Sequence, residues 1–193
     1  MYSKFQNIET PFYYYDTALL EATLKAIRDE IKPYPHFHVH YAIKANANPR
    51  LLSIIQQAGF GVDCVSGGEI QVAINAHFPT NSIVYAGVGK SDKEIIIGLR
   101  NNIFCFNVES IPELEVINQL AVKENTIANV CLRINPDVSP HTHANIITGM
   151  AENGHTKTYS PGSLQNSIWR THRRVNFATI SSSPSTVSVS CCL

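Results

Sequence analysis

An α/β fold is predicted: a parallel sheet of repeating strand–helix units, forming the N-terminal part of a (βα)8 barrel. Three observations predict it. Five short apolar runs rich in β-branched and aromatic residues start at residues 38, 61, 82, 103 and 129, with spacings of 23, 21, 21 and 26. Each of the first four is followed by a helix-start signal and an amphipathic stretch. No GxGxxG follows the first strand, as a dinucleotide-binding doubly wound sheet would require. Spacing of this kind suits parallel strands, because each crossover helix must bury one face on the sheet.

Residues 1–37 lead into the repeat. Residues 11–15 (PFYYY) read as a strand, and Asp16 or Thr17 can cap a helix carrying Leu19, Leu20, Leu24 and Ile27. Pro33 and Pro35 mark the connection onward. The repeat itself spans residues 38–153, about five βα units. Its strands are HVHYAIK (38–44), GVDCV (61–65), SIVYAG (82–87), IFCFNV (103–108) and NVCLRIN (129–135). Asn48-Pro49 supplies a cap and a proline at the first helical position. SGGE (66–69), SDKE (91–94) and SIPE (110–113) each have the capping-box form, Ser at the cap and Glu three residues on.

The pattern stops after Asn153. All 15 acids lie in residues 1–153, with 11 Lys and Arg, for a net charge of −4. The last 40 residues hold four Lys and Arg, no acid and nine serines. Neither a helical nor a strand period is evident there. A linker, a basic tail and a disordered or out-of-frame segment are the readings available.

The whole chain of 193 residues has no formal net charge, which gives no argument for nucleic acid or an anionic membrane. No apolar run approaches the roughly 20 residues of a membrane helix. The N-terminus lacks the apolar core of a signal peptide, so a cytoplasmic location is expected. Cys64, Cys105 and Cys131 sit singly in apolar strands and read as small buried hydrophobes. No CxxC pair suggests zinc or redox chemistry.

Several motifs have ordinary readings. His36-x-His38-x-His40 has a metal-ligand rhythm, but it precedes the apolar part of its strand. Barrel chemistry belongs at the other end. His141 and His143 follow the fifth strand and read as loop polar groups. Gly87-x-Gly89-Lys90-Ser91 resembles the end of a phosphate loop, but Val84 stands where the first glycine is needed. No metal is expected.

Lys44 is different. YAIKANANP (41–49) puts one lysine at the end of an apolar strand, where desolvation would disfavour its ammonium and release a nucleophilic amine. Such an amine forms Schiff bases with aldehydes. A solvated strand-end lysine is the ordinary alternative. Asp63, Glu69 and Arg133 join it as charges within or beside strands. Each needs a partner or a ligand, and pairing of Arg133 with Asp63 or Glu69 is expected.

Taken together and in this order, FYYYD, YAIKANANP, GVDCVSGGE, VCLRINPDV and HTHANIITG resemble the pyridoxal 5'-phosphate (PLP) dependent decarboxylases with an alanine-racemase-like barrel. The likeness is greatest to the members acting on diaminopimelate, and it covers about residues 5–153. It implies Lys44 as the Schiff-base lysine and Asp63, Glu69 and Arg133 as the polar shell of the cofactor, with Arg133 pairing with Glu69. It implies decarboxylation of meso-2,6-diaminopimelate to L-lysine and CO2. Other members would act on another basic amino acid, and a non-catalytic PLP-binding or inactive fragment is the further alternative. The family continues after TGMAEN with Lys-Phe-Gly, three more strands, a phosphate loop and a β domain that shapes a homodimer. Residues 154–170 read GHTKTYSPGSLQNSIWR instead. A frameshift near codon 153 would account for the change, and this chain as written is expected to be inactive.

Overall fold

A computed structural model describes residues 5–133, together with the backbone of 175–177 and 188–191. The motifs INPDV and HTHANIITG, with His141 and His143, lie outside the described residues.

The elements follow the expected alternation. Helix α1 (Thr17–Ile31) is capped by Asp16, whose Oδ1 accepts from Leu19 N at 3.0 Å. Leu20, Leu24, Ile27 and Ile31 form its packed stripe, while Leu19 is 67% exposed and lies off it. One residue of displacement turns a helical side chain by about 100°, which is why Leu19 leaves the stripe that Leu20 joins.

Then come β1 (His38–Ala42), α2 (Pro49–Gln57), β2 (Gly61–Cys64), α3 (Gly67–Asn75), β3 (Ile83–Tyr85), α4 (Asp92–Arg100), β4 (Cys105–Val108), α5 (Ile111–Lys123) and β5 (Ala128–Leu132). All these strand pairs are parallel, and the order β1-β2-β3-β4-β5 is that of the chain. A doubly wound sheet reverses its order at a switch point. This one does not, and α3–α4 and α4–α5 pack on each other as neighbours in one outer layer. That is barrel construction.

The core lies between the sheet and those helices. Tyr41, Val62, Cys64, Ile83, Tyr85, Phe106, Val108, Ala128 and Val130 belong to it with Leu52, Ile70, Ile95, Leu114 and Ile117 from the helices. Strand side chains alternate. The remaining strand positions (His40, Ala42, Asp63, Val84, Cys105, Asn107, Asn129, Cys131) therefore face the other side, the concave interior of the partial barrel. Burial raises the thiol pKa values of Cys64, Cys105 and Cys131, so all three stay protonated, as small hydrophobes do.

One expectation changes. Residues 11–15 form no strand. They run exposed beside Phe5, whose ring lies 5.4 Å from Phe12 and 5.0 Å from Tyr14. Aromatic and β-branched content favours a strand only where a ladder partner exists, and this segment has none among the described residues. Two short segments join the sheet at its edges: β6 (Val175–Phe177), parallel to β5, and β7 (Ser188–Cys191), parallel to β1. An edge strand presents open N–H and C=O groups to any extended segment. No described helix is long and apolar enough to cross a membrane.

Candidate active site

The C-terminal ends of the strands carry the polar groups. Lys44 does not end β1. It sits in a single 3₁₀ turn, Ile43–Ala45, that follows the strand. Ile43 is buried at 1% exposure and pins the turn to the core, and Lys44 is exposed. The described residues thus leave Lys44 exposed where a partly desolvated strand-end lysine was expected. The asparagines beyond it shape the turn. Asn46 O accepts from Tyr41 Oη at 3.1 Å, Asn46 Oδ1 accepts from Asn48 N at 2.9 Å, and Asn46 Nδ2 donates to Tyr15 Oη at 3.0 Å. Asn48 Oδ1 accepts from Arg50 N at 3.0 Å and caps α2. The motif is thus a lysine held out on a rigid Asn-rich turn.

Asp63 lies beside Ala42 in register, two residues from Lys44 along the neighbouring strand, and is half-buried on the interior face. Glu69 stands in the first turn of α3. Its Oε2 accepts from Val65 N at 2.7 Å, and its own N donates to Ser66 Oγ at 3.2 Å. That is a capping box whose return bond falls one residue early.

Arg133 follows β5, its N donating to Val108 O at 3.0 Å. Its partner differs from the expected one. Nη1 donates to both oxygens of Glu109 at 3.2 Å, and neither Glu69 nor Asp63 fills that place. The reason is topological. Glu109 directly follows β4, the strand next to β5, whereas Glu69 follows β2, three strands away.

The structure gives further roles to residues that the motifs placed only in a cap or in a discounted loop. Glu94 Oε2 accepts from Ser91 N at 3.0 Å, and Oε1 accepts from Gly67 N at 2.9 Å across to α3. These bonds, Gly67's foremost, hold its carboxyl down at about 2. Lys90, of the discounted phosphate-loop likeness, is buried against Glu113 at 2.6 Å. Among the described residues no group of three His, Cys, Asp or Glu is placed to hold a metal.

An exposed primary amine, an interior carboxylate and a guanidinium stand on one rim, the C-terminal face where barrel chemistry is built. That donor set fits an aldehyde-bearing, charged aromatic cofactor. Comparison with known proteins agrees. The family described as pyridoxal-dependent decarboxylase, pyridoxal binding domain, matches residues 18–166, and the chain belongs to that family. Within it, the chain is 65% identical over 150 residues to the diaminopimelate decarboxylase of Bacteroides thetaiotaomicron, covering 78% of this chain and 39% of that one. It is 40% identical over 134 residues to the L-glutamyl-[BtrI acyl-carrier protein] decarboxylase of Niallia circulans, covering 69% of this chain and 31% of that one. The crystal structure of Helicobacter pylori diaminopimelate decarboxylase complexed with L-lysine superposes with a TM-score of 0.82 at 35% identity, covering 90% of this chain and 44% of that one. The chain thus spans about two fifths of the length of the first of these relatives.

Proposed function

We propose that this chain is the pyridoxal-binding part of a diaminopimelate decarboxylase, with Lys44 as the residue that holds the cofactor's aldehyde carbon. The observation that carries the reading is the exposed Lys44 amine on its pinned turn, one strand from Asp63. When bound, PLP supplies an aldehyde and an electron-withdrawing ring that accepts the electron pair left by loss of CO2.

The chain's own residues do the rest. Ile43 and the Asn46–Asn48 turn fix where Lys44 emerges and leave its long side chain able to move aside for a substrate amine. Asp63 offers a carboxylate acceptor on the interior face. Arg133 offers a cation at the end of β5, with Glu109 setting its position. Glu69 holds the strand-to-helix corner at Val65 from which Asp63's strand meets α3. The reading carries with it an amino-acid substrate, a cytoplasmic enzyme and assembly as a homodimer.

Borohydride reduction after incubation with PLP should attach the cofactor to the Lys44 peptide, read by mass, and Lys44→Ala should remove that label. Equal labelling of both proteins would sink the assignment. Lysine formation from meso-diaminopimelate, followed alongside, tests the substrate. The Niallia circulans relative shows that similar domains serve another substrate, so labelling at Lys44 with no lysine formed by the longer protein would move the reading to another amino acid. Sustained turnover by this chain alone would show that residues 1–193 carry the whole site.

A further inference from the structure

We propose that Lys90 is a positioning residue for the cofactor site, acting through Glu113 and Glu109 on the Arg133 guanidinium. This deepens the reading above and rests on Arg133 facing the cofactor.

Lys90 is a cation with its side chain 1% exposed. An ammonium has three donors, and all three are used. Nζ donates to Gly87 O at 2.6 Å, to Asn107 O at 2.8 Å and to Glu113 Oε1 at 2.6 Å. It also lies 5.3 Å from the centre of the Tyr85 ring. The acceptors come from three places: the turn after β3, the strand β4, and the first turn of α5. Gly87 and Gly89 take positive φ values of 95° and 75°, which lets that turn fold Lys90 back beneath the rim.

From Glu113 the contacts continue in one direction. Its Oε2 accepts from Glu109 N at 3.2 Å. The Glu109 carboxylate, with its side chain 4% exposed, accepts from Arg133 Nη1. Arg133 itself is 51% exposed. The path therefore runs from a buried, fully bonded cation through two carboxylates of one capping loop to a cation that reaches the open interior. Two cations on these neighbouring carboxylates also balance charge: neither Glu109 nor Glu113 is left buried without a positive partner. A fastening needed only for packing could sit anywhere on the rim. This one ends on a residue of the proposed site.

A double-mutant cycle decides between positioning and mere support. PLP would be titrated into the full chain, the bound fraction fixed with borohydride, and the Lys44 peptide quantified by mass. The proteins are wild type, Lys90→Met, Glu109→Gln, Arg133→Gln and the two doubles with Arg133→Gln. Lys90→Met should raise the half-saturating PLP concentration by about tenfold, the scale of one charge-assisted hydrogen bond. In the Arg133→Gln background it should add nothing. Glu109→Gln leaves the Lys90–Glu113 pair in place and should behave alike, so the test stands even if circular dichroism shows Lys90→Met unfolded. Equal shifts with and without Arg133, or no shift from either substitution, would overturn the proposal while leaving Lys44 labelling intact. Wild-type affinity in Arg133→Gln would overturn it too. Absence of Lys44 label in the wild type would overturn the functional reading and this inference together.

Discussion

At the C-terminal ends of β2, β3 and β4, each following helix begins on a serine whose companion glutamate turns back to the chain: Glu69 to Val65 N, Glu94 to Ser91 N and Gly67 N, Glu113 to Glu109 N. At the N-terminal ends the same sheet begins with rings. His40 stacks 6.2 Å from Phe104, and Phe60 and Ile103 are buried nearby. His40 is 4% exposed and its Nδ1 has no hydrogen-bond partner among the described residues. Gly61 makes room for it, since a Cβ there would fall 2.4 Å from His40 Cδ2 and 2.6 Å from Ser82 O. One end is organised by directional bonds to charges, the other mainly by shape. A ligand needs groups at fixed positions, and only the bonded end supplies them.

The comparison can be broken hardest at Lys90. Lys90→Met leaves Glu113 half-compensated in a buried place, and removing one partner of such a pair costs about 3 kcal/mol or more. Urea unfolding followed by circular dichroism should show the loss. An unchanged midpoint would mean that the rim is not held by its charges.

The base should answer to pH instead. Burial, and secondly the neighbouring His38, push the His40 pKa down to about 4 from 6.5. A base with a depressed folded pKa binds its proton more readily when unfolded. Its contribution to stability is thus complete above about pH 6.5 and is lost as pH falls towards 4. The ceiling for a shift of this size is about 3 kcal/mol. Between pH 7 and 5 the unfolding midpoint of the wild type should fall more steeply than that of His40→Leu. Parallel slopes would show that His40 is not kept neutral by the fold.

Smaller effects sharpen the picture. Ser66→Ala and Ser110→Ala each remove a cap oxygen and should cost about 1 kcal/mol, measured by the same unfolding. Glu124 and Arg100 form an exposed two-bond pair at 2.8 and 3.0 Å between the C-terminal ends of α5 and α4, away from the rim. Arg100→Gln should leave the midpoint within error, as exposed pairs contribute little. A clear drop there would show that charge contacts matter everywhere and that the rim is not special.

The helix starts were legible because capping is local. Asn48, Ser66 and Ser110 accept the bonds that their motifs announce. The strands were legible from spacing, to within a residue or two. Lys44 could be picked out, but not its exposure, which depends on what covers the turn. The partner of Arg133 could not be read from linear order, because Glu69 and Glu109 both follow strands of the same sheet. Strand order chooses between them. Lys90 was visible only as part of a phosphate-loop likeness, and its role needs three acceptors brought together from residues 87, 107 and 113.

Glu94 carries a last consequence. It belongs to α4, yet one of its oxygens secures the first amide of α3 while the other secures the start of its own helix. A single carboxylate therefore latches two corners of the rim. With its carboxyl held down at about 2, Glu94 stays ionised, and so able to accept both bonds, at neutral pH. Displacing Glu94 would release the starts of both α3 and α4, so the two neighbouring corners share one fastening.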